Sequence, residues 1–162
     1  MATASTPLPA PEVLSGLMAR ALDEARAALA HDDVPIGAVV ARLSDGVVVA
    51  SAHNEREQRH DPTAHAEVLA LRAAAASVGG WRLRGHALVS TIEPCPMCAG
   101  AAWAARVDLL VFGAADSRAG AAGSLYNLAA DPRLNHEIAV VPGVRSDECA
   151  ALVERFFATR RG

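Results

Sequence analysis

The chain of 162 residues contains no lysine, so its whole positive charge is carried by 15 arginines. Against 18 acidic residues the formal net charge is −3, which excludes attachment to nucleic acid through bulk positive charge and leaves room only for a local patch. Cysteine is scarce, with three residues at 95, 98 and 149, and an odd count this low excludes a disulfide scaffold and fits a reducing compartment. Aromatics make up 4% of the chain. No run approaches the roughly 18–20 apolar residues of a membrane span. Met1 to Pro11 carries no Lys or Arg and no apolar core of signal-peptide length. A soluble, cytoplasmic protein without membrane contact is expected.

What is present is small and apolar. Alanine accounts for 37 residues and apolar residues for 52%, which excludes intrinsic disorder. The length suits one domain able to bury about two thirds of its unfolded surface. Residues 1–10 read as a disordered Pro-rich tail and 11–162 as a single domain.

Leu14, Leu17, Met18, Ala21, Leu22, Ala25 and Leu29 recur at helical spacing, and Pro35 closes that element. Residues 36–43 and 47–52 alternate as strands around Ser44-Asp45-Gly46, a hairpin signal. After a charged loop at 54–61, an Ala/Leu-rich helix over 64–78 stops at Gly79-Gly80. A strand at 86–91, a helix to about 106, a strand at 108–113, a Gly/Ala loop at 114–123 and a short helix to 130 follow. A strand at 137–141 and a helix at 146–160 complete the order, with Cys149, Leu152, Val153, Phe156 and Phe157 as the last apolar stripe. This alternation predicts an α/β layered sheet opened by a hairpin.

Two stretches carry chemistry: His65-Ala66-Glu67 at one helix start and Pro94-Cys95-Pro96-Met97-Cys98 at the next. Cys95 and Cys98, three apart at a helix start, share one side, and a helix N-terminus favours thiolates. With a neutral His65 nitrogen they make a three-ligand zinc site whose open fourth position holds a water of pKa about 7. Glu67 stands two residues from His65. On an ideal helix such side chains diverge by about 200°, so the pair converges only if His65 leaves from the helix end. The competing readings are a Cys-x-x-Cys redox pair, a structural zinc completed by Cys149, and a catalytic thiol. The first leaves His-x-Glu idle, the second needs a residue that fits an apolar stripe, and the third lacks a marked base.

The combined H-x-E…P-C-x-x-C pattern resembles the zinc-dependent deaminases of the cytidine/deoxycytidylate superfamily. The surrounding stretches resemble one branch, the bacterial tRNA-specific adenosine deaminases. They are VPIGAVV (34–40), HN (53–54), DPTAHAEVLALR (61–72), TIEPCPMCAGA (91–101), VFGAAD (111–116), AGAAGSL (119–125), NH (135–136) and ECAAL…FF (148–157). The likeness runs from about residue 11 to 161. It implies a three-layer cytidine-deaminase-like fold, a mixed five-stranded sheet with a leading β-hairpin and helices on both faces. It further implies hydrolytic deamination of adenosine to inosine at the wobble position of a tRNA anticodon loop. By the same resemblance His65, Cys95 and Cys98 hold Zn2+, Glu67 moves the protons, and Asn54 hydrogen-bonds the flipped base. The backbone of Ala66 and Pro94 helps fix the substrate and the zinc water. Asp116 and the loop 114–125 touch the anticodon stem-loop backbone, and Phe157 and Arg160 lie in a helix beside the RNA. A homodimer is implied too, with the Ala-rich helix AGAAWAAR as a candidate interface.

Two departures bear on the RNA. Ala115 stands where relatives often carry a basic residue, and the chain stops at Gly162 without a Lys-rich tail. Arg118, Arg133, Arg145, Arg155, Arg160 and Arg161 are the remaining candidates for phosphate contact. His31, His53, His60, His86 and His136 read as surface or hydrogen-bonding residues, and Trp81 and Trp103 as packing residues. The loop 119–123 lacks the Lys of a P-loop. Two other functions compete: a free guanine or cytosine base or nucleoside deaminase, and an inactive deaminase-fold binding module. The intact Glu67 opposes the second.

Overall fold

The computed structural model describes residues 7–160. Pro11 opens the first helix, α1 (Pro11–Ala27), where its missing N–H is no loss, and a 3-10 turn (Ala28–His31) ends at Asp32 in the left-handed region. Strands β1 (Gly37–Arg42) and β2 (Val48–His53) form the hairpin. The loop expected over 54–61 contains a single helical turn, α2 (Arg56–Arg59). Then come α3 (Ala66–Val78), β3 (His86–Ile92), α4 (Pro96–Ala105), β4 (Leu109–Ala114), β5 (Ala139–Val141) and α5 (Ser146–Ala158).

The sheet order is β2-β1-β3-β4-β5. β1 pairs antiparallel with both β2 and β3, whereas β3-β4 and β4-β5 are parallel. The mixed five-stranded α/β sheet with a leading hairpin is thus as expected. Period-two alternation divides the core into two layers. Val39, Ala41, Ala87, Val89, Leu109 and Val111 face α1 and α5, against Leu17, Met18, Leu22 and Leu152. Ala38, Val40, Leu88, Leu110 and Phe112 face α3 and α4, against Ala66, Ala70, Ala74 and Ala102. Alanine at every fourth position lets α3 lie close to the sheet, which gives the alanine excess a packing role.

At Gly37, β1 lies hard against α1. A Cβ there would stand 2.0 Å from the Ala21 carbonyl oxygen and 2.5 Å from the Ala25 nitrogen. Both obstacles are backbone, so Gly37→Ala is expected to lower unfolding stability by about 3 kcal/mol or more, read from denaturant titration.

The short helix expected up to residue 130 is absent. Turns and an isolated bridge between Ala122 and Asn127 occupy that stretch. Its amides are spent elsewhere: Ser124 N–H donates to the Glu93 carboxylate at 3.0 Å, those of Leu125 and Tyr126 to Gly120 O at 3.0 and 3.2 Å, and that of Leu128 to Ala121 O at 2.9 Å. Trp81 is 54% exposed, not packed in the core, with the Arg82 guanidinium 4.2 Å over its ring. Trp103 does pack, stacked on His136 at 5.0 Å. Residues 1–6 of the expected tail, Arg161 and Gly162 lie outside the described residues. No helix among the described residues is long and apolar enough to cross a membrane.

Candidate active site

β2 and β3 run in the same direction on either side of β1, and each leads into a helix at its C-terminal end. That edge is where open α/β sheets place ligands. His65 is the N-cap of α3 and Cys95 the N-cap of α4, both in extended backbone (φ −74°, ψ 147° and φ −70°, ψ 174°). His65 therefore leaves from outside its helix while Glu67 lies in the first turn, which meets the condition for convergence. Pro96 begins α4 and brings Cys98 back to the same side.

His65 Nδ1 lies 3.7 Å from Cys95 Sγ and 3.4 Å from Cys98 Sγ, and the three donor atoms fall within 4.8 Å of one another. A tetrahedral zinc with Zn–S about 2.3 Å and Zn–N about 2.05 Å separates its S and N ligands by about 3.6 Å. The donor set fits that ion. Both helices point their positive N-terminal ends at it, which favours thiolate. Without a cation the donors share protons. The Cys98 thiol's hydrogen bond, aided by His65, holds Cys95 well below the ordinary thiol range, while the same bond and burial push Cys98 far up. The bond to Cys95 draws His65 upward against its burial. A metal replaces these shared protons.

Glu67 is 4% exposed. Its Oε1 accepts from Ser90 Oγ at 3.2 Å, and its Oε2 is buried with no hydrogen-bond partner among the described residues. Burial raises its pKa above the usual carboxylate range. An unpaired buried carboxylate oxygen is costly in a structural role and useful in a proton-transferring one.

Asn54 is 2% exposed, and its Oδ1 accepts the Ala66 N–H at 2.9 Å. That bond orients the amide and occupies the Ala66 N–H. The Pro94 carbonyl accepts from Ala121 and keeps one lone pair. Asn54 follows His53, whose Nδ1 lies 2.8 Å from Glu24 Oε2 and whose Nε2 lies 3.1 Å from His31 Nε2. His31 Nδ1 in turn donates to Asp33 at 2.7 Å. Asp33 is 1% exposed and also accepts the N–H of Glu57 at 2.9 Å, fixing the turn after Asn54. Burial raises the Asp33 pKa, but the bonds from Glu57, His31 and Gln58 outweigh it and the net direction is down from 3.8. A folded pKa below the unfolded one contributes stability above the unfolded value and loses it as pH falls through the folded value. Asp33→Asn is therefore expected to destabilise by about 1–3 kcal/mol at neutral pH, the gap to wild type closing below about pH 4 in melting curves.

The RNA-side residues are less concentrated. Asp116 is half-buried and uses its Oδ1 to accept the Arg118 and Ala119 amides at 2.9 and 3.1 Å, a turn within its own loop. Phe157 is 40% exposed and meets Phe156 edge-on at 5.3 Å. Arg160 is paired with Asp32 and lies 3.6 Å over the Phe156 ring. Arg133 and Arg145 are paired with Asp131 and Glu148. Glu93 escaped the sequence reading, although it sits inside the matched motif. It is a 2% exposed carboxylate beside Pro94, and the Ser124 hydroxyl together with loop amides outweighs burial to hold its pKa low. A lone acidic residue in a motif dominated by metal ligands carries no periodic signal of its own.

An imidazole and two thiolates at paired helix starts, under a five-stranded mixed sheet and beside a buried glutamate, define a zinc-binding deaminase domain. Residues 11–114 match the cytidine and deoxycytidylate deaminase zinc-binding region. The tRNA-specific adenosine deaminase of Bacillus subtilis (strain 168) is 44% identical over 144 residues, covering 89% of this chain and 88% of the relative. A structure solved in work on A-to-I editing by tRNA:A34 deaminases at the wobble position of transfer RNA superposes with a TM-score of 0.81. It is 40% identical and covers 85% of this chain and 99% of that one. A guanine deaminase from Nitrosomonas europaea superposes at 0.76 with 28% identity, over 93% of this chain and 86% of that one. The chain belongs to the tRNA-specific adenosine deaminase branch of this zinc-binding deaminase family.

Proposed function

We propose that the protein deaminates adenosine to inosine at the wobble position of a tRNA anticodon stem-loop, acting in the cytoplasm as a homodimer. The supporting observation is the unpartnered, buried Oε2 of Glu67 in the first turn after the N-cap donor His65. Residues 11–162 serve as one deaminase domain in this reading, with 1–10 outside it.

His65, Cys95 and Cys98 would hold one Zn2+. When bound, the ion supplies Lewis acidity that brings a water's pKa near neutral. The protein's own groups do the rest. Glu67 Oε2 accepts the proton of the attacking water and delivers it to the ring nitrogen beside C6. A further transfer goes to the departing amine, so adenosine and water give inosine and ammonia. A raised carboxylate pKa suits a group that must accept and then release protons near neutrality. Asn54, its oxygen engaged by Ala66, has its amide N–H groups to orient the base, and the Pro94 carbonyl has a lone pair for the departing amine. Asp116, Phe157 and Arg160 would border the RNA. A base already unstacked in a loop enters such a pocket at little cost.

Zinc-loaded protein should convert an anticodon stem-loop with adenosine at the wobble position to inosine, read by nucleoside mass spectrometry. Turnover of free guanine or cytosine with the RNA untouched would replace this reading by a free-base deaminase. A chain that binds the stem-loop without deaminating anything would be a binding module. Light scattering decides the dimer.

A further inference from the structure

Between Ala114 and Ala139 the described chain forms no helix or strand, yet part of it is tied to the turn that carries Cys95. Glu93 N–H donates to Ala114 O and Pro94 O accepts from Ala121, both at 2.8 Å. Between these backbone bonds stands the Glu93 side chain. Its Oε1 accepts the Asp116 N–H at 3.1 Å and the Ser124 hydroxyl, and its Oε2 accepts the N–H groups of Ala122 and Ser124 at 3.0 Å each. Four donors converge, which demands a carboxylate. An amide would turn an NH2 group against N–H groups and leave donors unpaired.

Gly120 is matched to it: a Cβ there would stand 2.4 Å from Glu93 Cδ and Oε2. The segment so held exposes two large apolar side chains side by side, Leu125 at 53% and Tyr126 at 60%. An exposed aromatic on an ordered loop is what an unstacked nucleotide stacks on, and this loop is anchored to Glu93 and Pro94, next to the Cys95 donor.

We infer that Glu93 is a positioning residue for the substrate: it clamps the segment 116–126 to the Pro94–Cys95 turn, so that Leu125 and Tyr126 form an apolar lip for a nucleotide flanking the target base. This rests on the RNA reading above. The clamp itself is tested without substrate. In zinc-loaded Glu93→Gln, the amides of Asp116, Ala122 and Ser124 should exchange hydrogen about tenfold faster or more, with α1 unchanged. Zinc content should hold, and the KM for the stem-loop should rise about tenfold, with most of the loss in kcat/KM lying in KM. Gly120→Ala should reproduce both effects with Glu93 intact, and the two together should lose less than the sum. Tyr126→Ala should raise KM without altering exchange at 116–124. Unchanged exchange in Glu93→Gln overturns the clamp. Loss of zinc with the defect confined to kcat makes Glu93 part of the metal turn instead, and an unchanged KM in Tyr126→Ala removes the lip. Should the wild type leave RNA untouched, the proposed function and the lip fall, while the exchange result still judges the clamp.

Discussion

Glu67→Gln is expected to keep its zinc and lose at least about 10³-fold in kcat, the upper range of what a positioned acid–base group supplies. The substitution preserves volume, so no cavity opens beneath α3, and the Ser90 hydroxyl keeps an oxygen to meet. What disappears is the atom that can take and return a proton. His65, Cys95 and Cys98 come from other positions and their spacing does not depend on the carboxylate. Metal analysis and single-turnover inosine formation on the stem-loop measure the two quantities separately. Retention of zinc with activity within tenfold of wild type would remove Glu67 from the chemistry. Glu67→Ala should lose turnover equally, with some stability lost to the void.

Much of this site was legible before any coordinates, for a physical reason. Metal ligation needs particular atoms at particular spacings, so His65, Cys95 and Cys98 announce themselves in one dimension, with Glu67 two residues from the first of them. The sheet was legible because Val39/Ala41 and Ala38/Val40 alternate between two buried layers. The stretch after Ala122 was not. Its composition suits a helix, but Glu93, about thirty positions earlier, claims the Ser124 amide, and the amides of Leu125, Tyr126 and Leu128 turn back to Gly120 and Ala121 in non-helical bonds, to which local propensity is blind. The one-turn helix α2 was hidden likewise, since Asp33, more than twenty positions away, accepts two of its amides. Arginine counting was a poor guide to the RNA surface. Arg133, Arg145 and Arg160 already meet carboxylates of their own chain.

Those pairings shift weight from charge to geometry. With net charge −3 and several candidate arginines neutralised internally, recognition of a nucleic acid cannot rest on counterion release alone. The fold offers an ordered rim in its place. Asn54 is braced by Ala66 and, through His53 and His31, by Asp33. On the other side the Glu93-held loop stands beside Cys95. Both braces end at residues adjoining a helix start that carries a metal donor.

Cys98→Ala is expected to lose zinc and, with it, a measurable part of the protein's stability. Cys98 is fully buried and its Sγ lies 3.4 Å from His65 Nδ1. Alanine leaves two donors at this site, too few to hold zinc against chelators. A ligand bound only by the folded state stabilises by RT ln(1 + [L]/Kd), about 2.7 kcal/mol at a hundredfold excess over Kd. For a domain of this size that is a fall in Tm of roughly 5–10 °C. The void left by the sulfur adds to it. The decisive comparison is the effect of a chelator. Wild type should drop by that amount when zinc is stripped, whereas Cys98→Ala, already lower, should not move. Cys149→Ala supplies the contrast: its thiol, on α5, is buried in the core layer between that helix and the sheet and pushed up to about 11 by burial. It should lose packing energy yet keep zinc and the full chelator response. Unchanged zinc in Cys98→Ala, or a lost chelator response in Cys149→Ala, would redraw the ligand set around a different third donor.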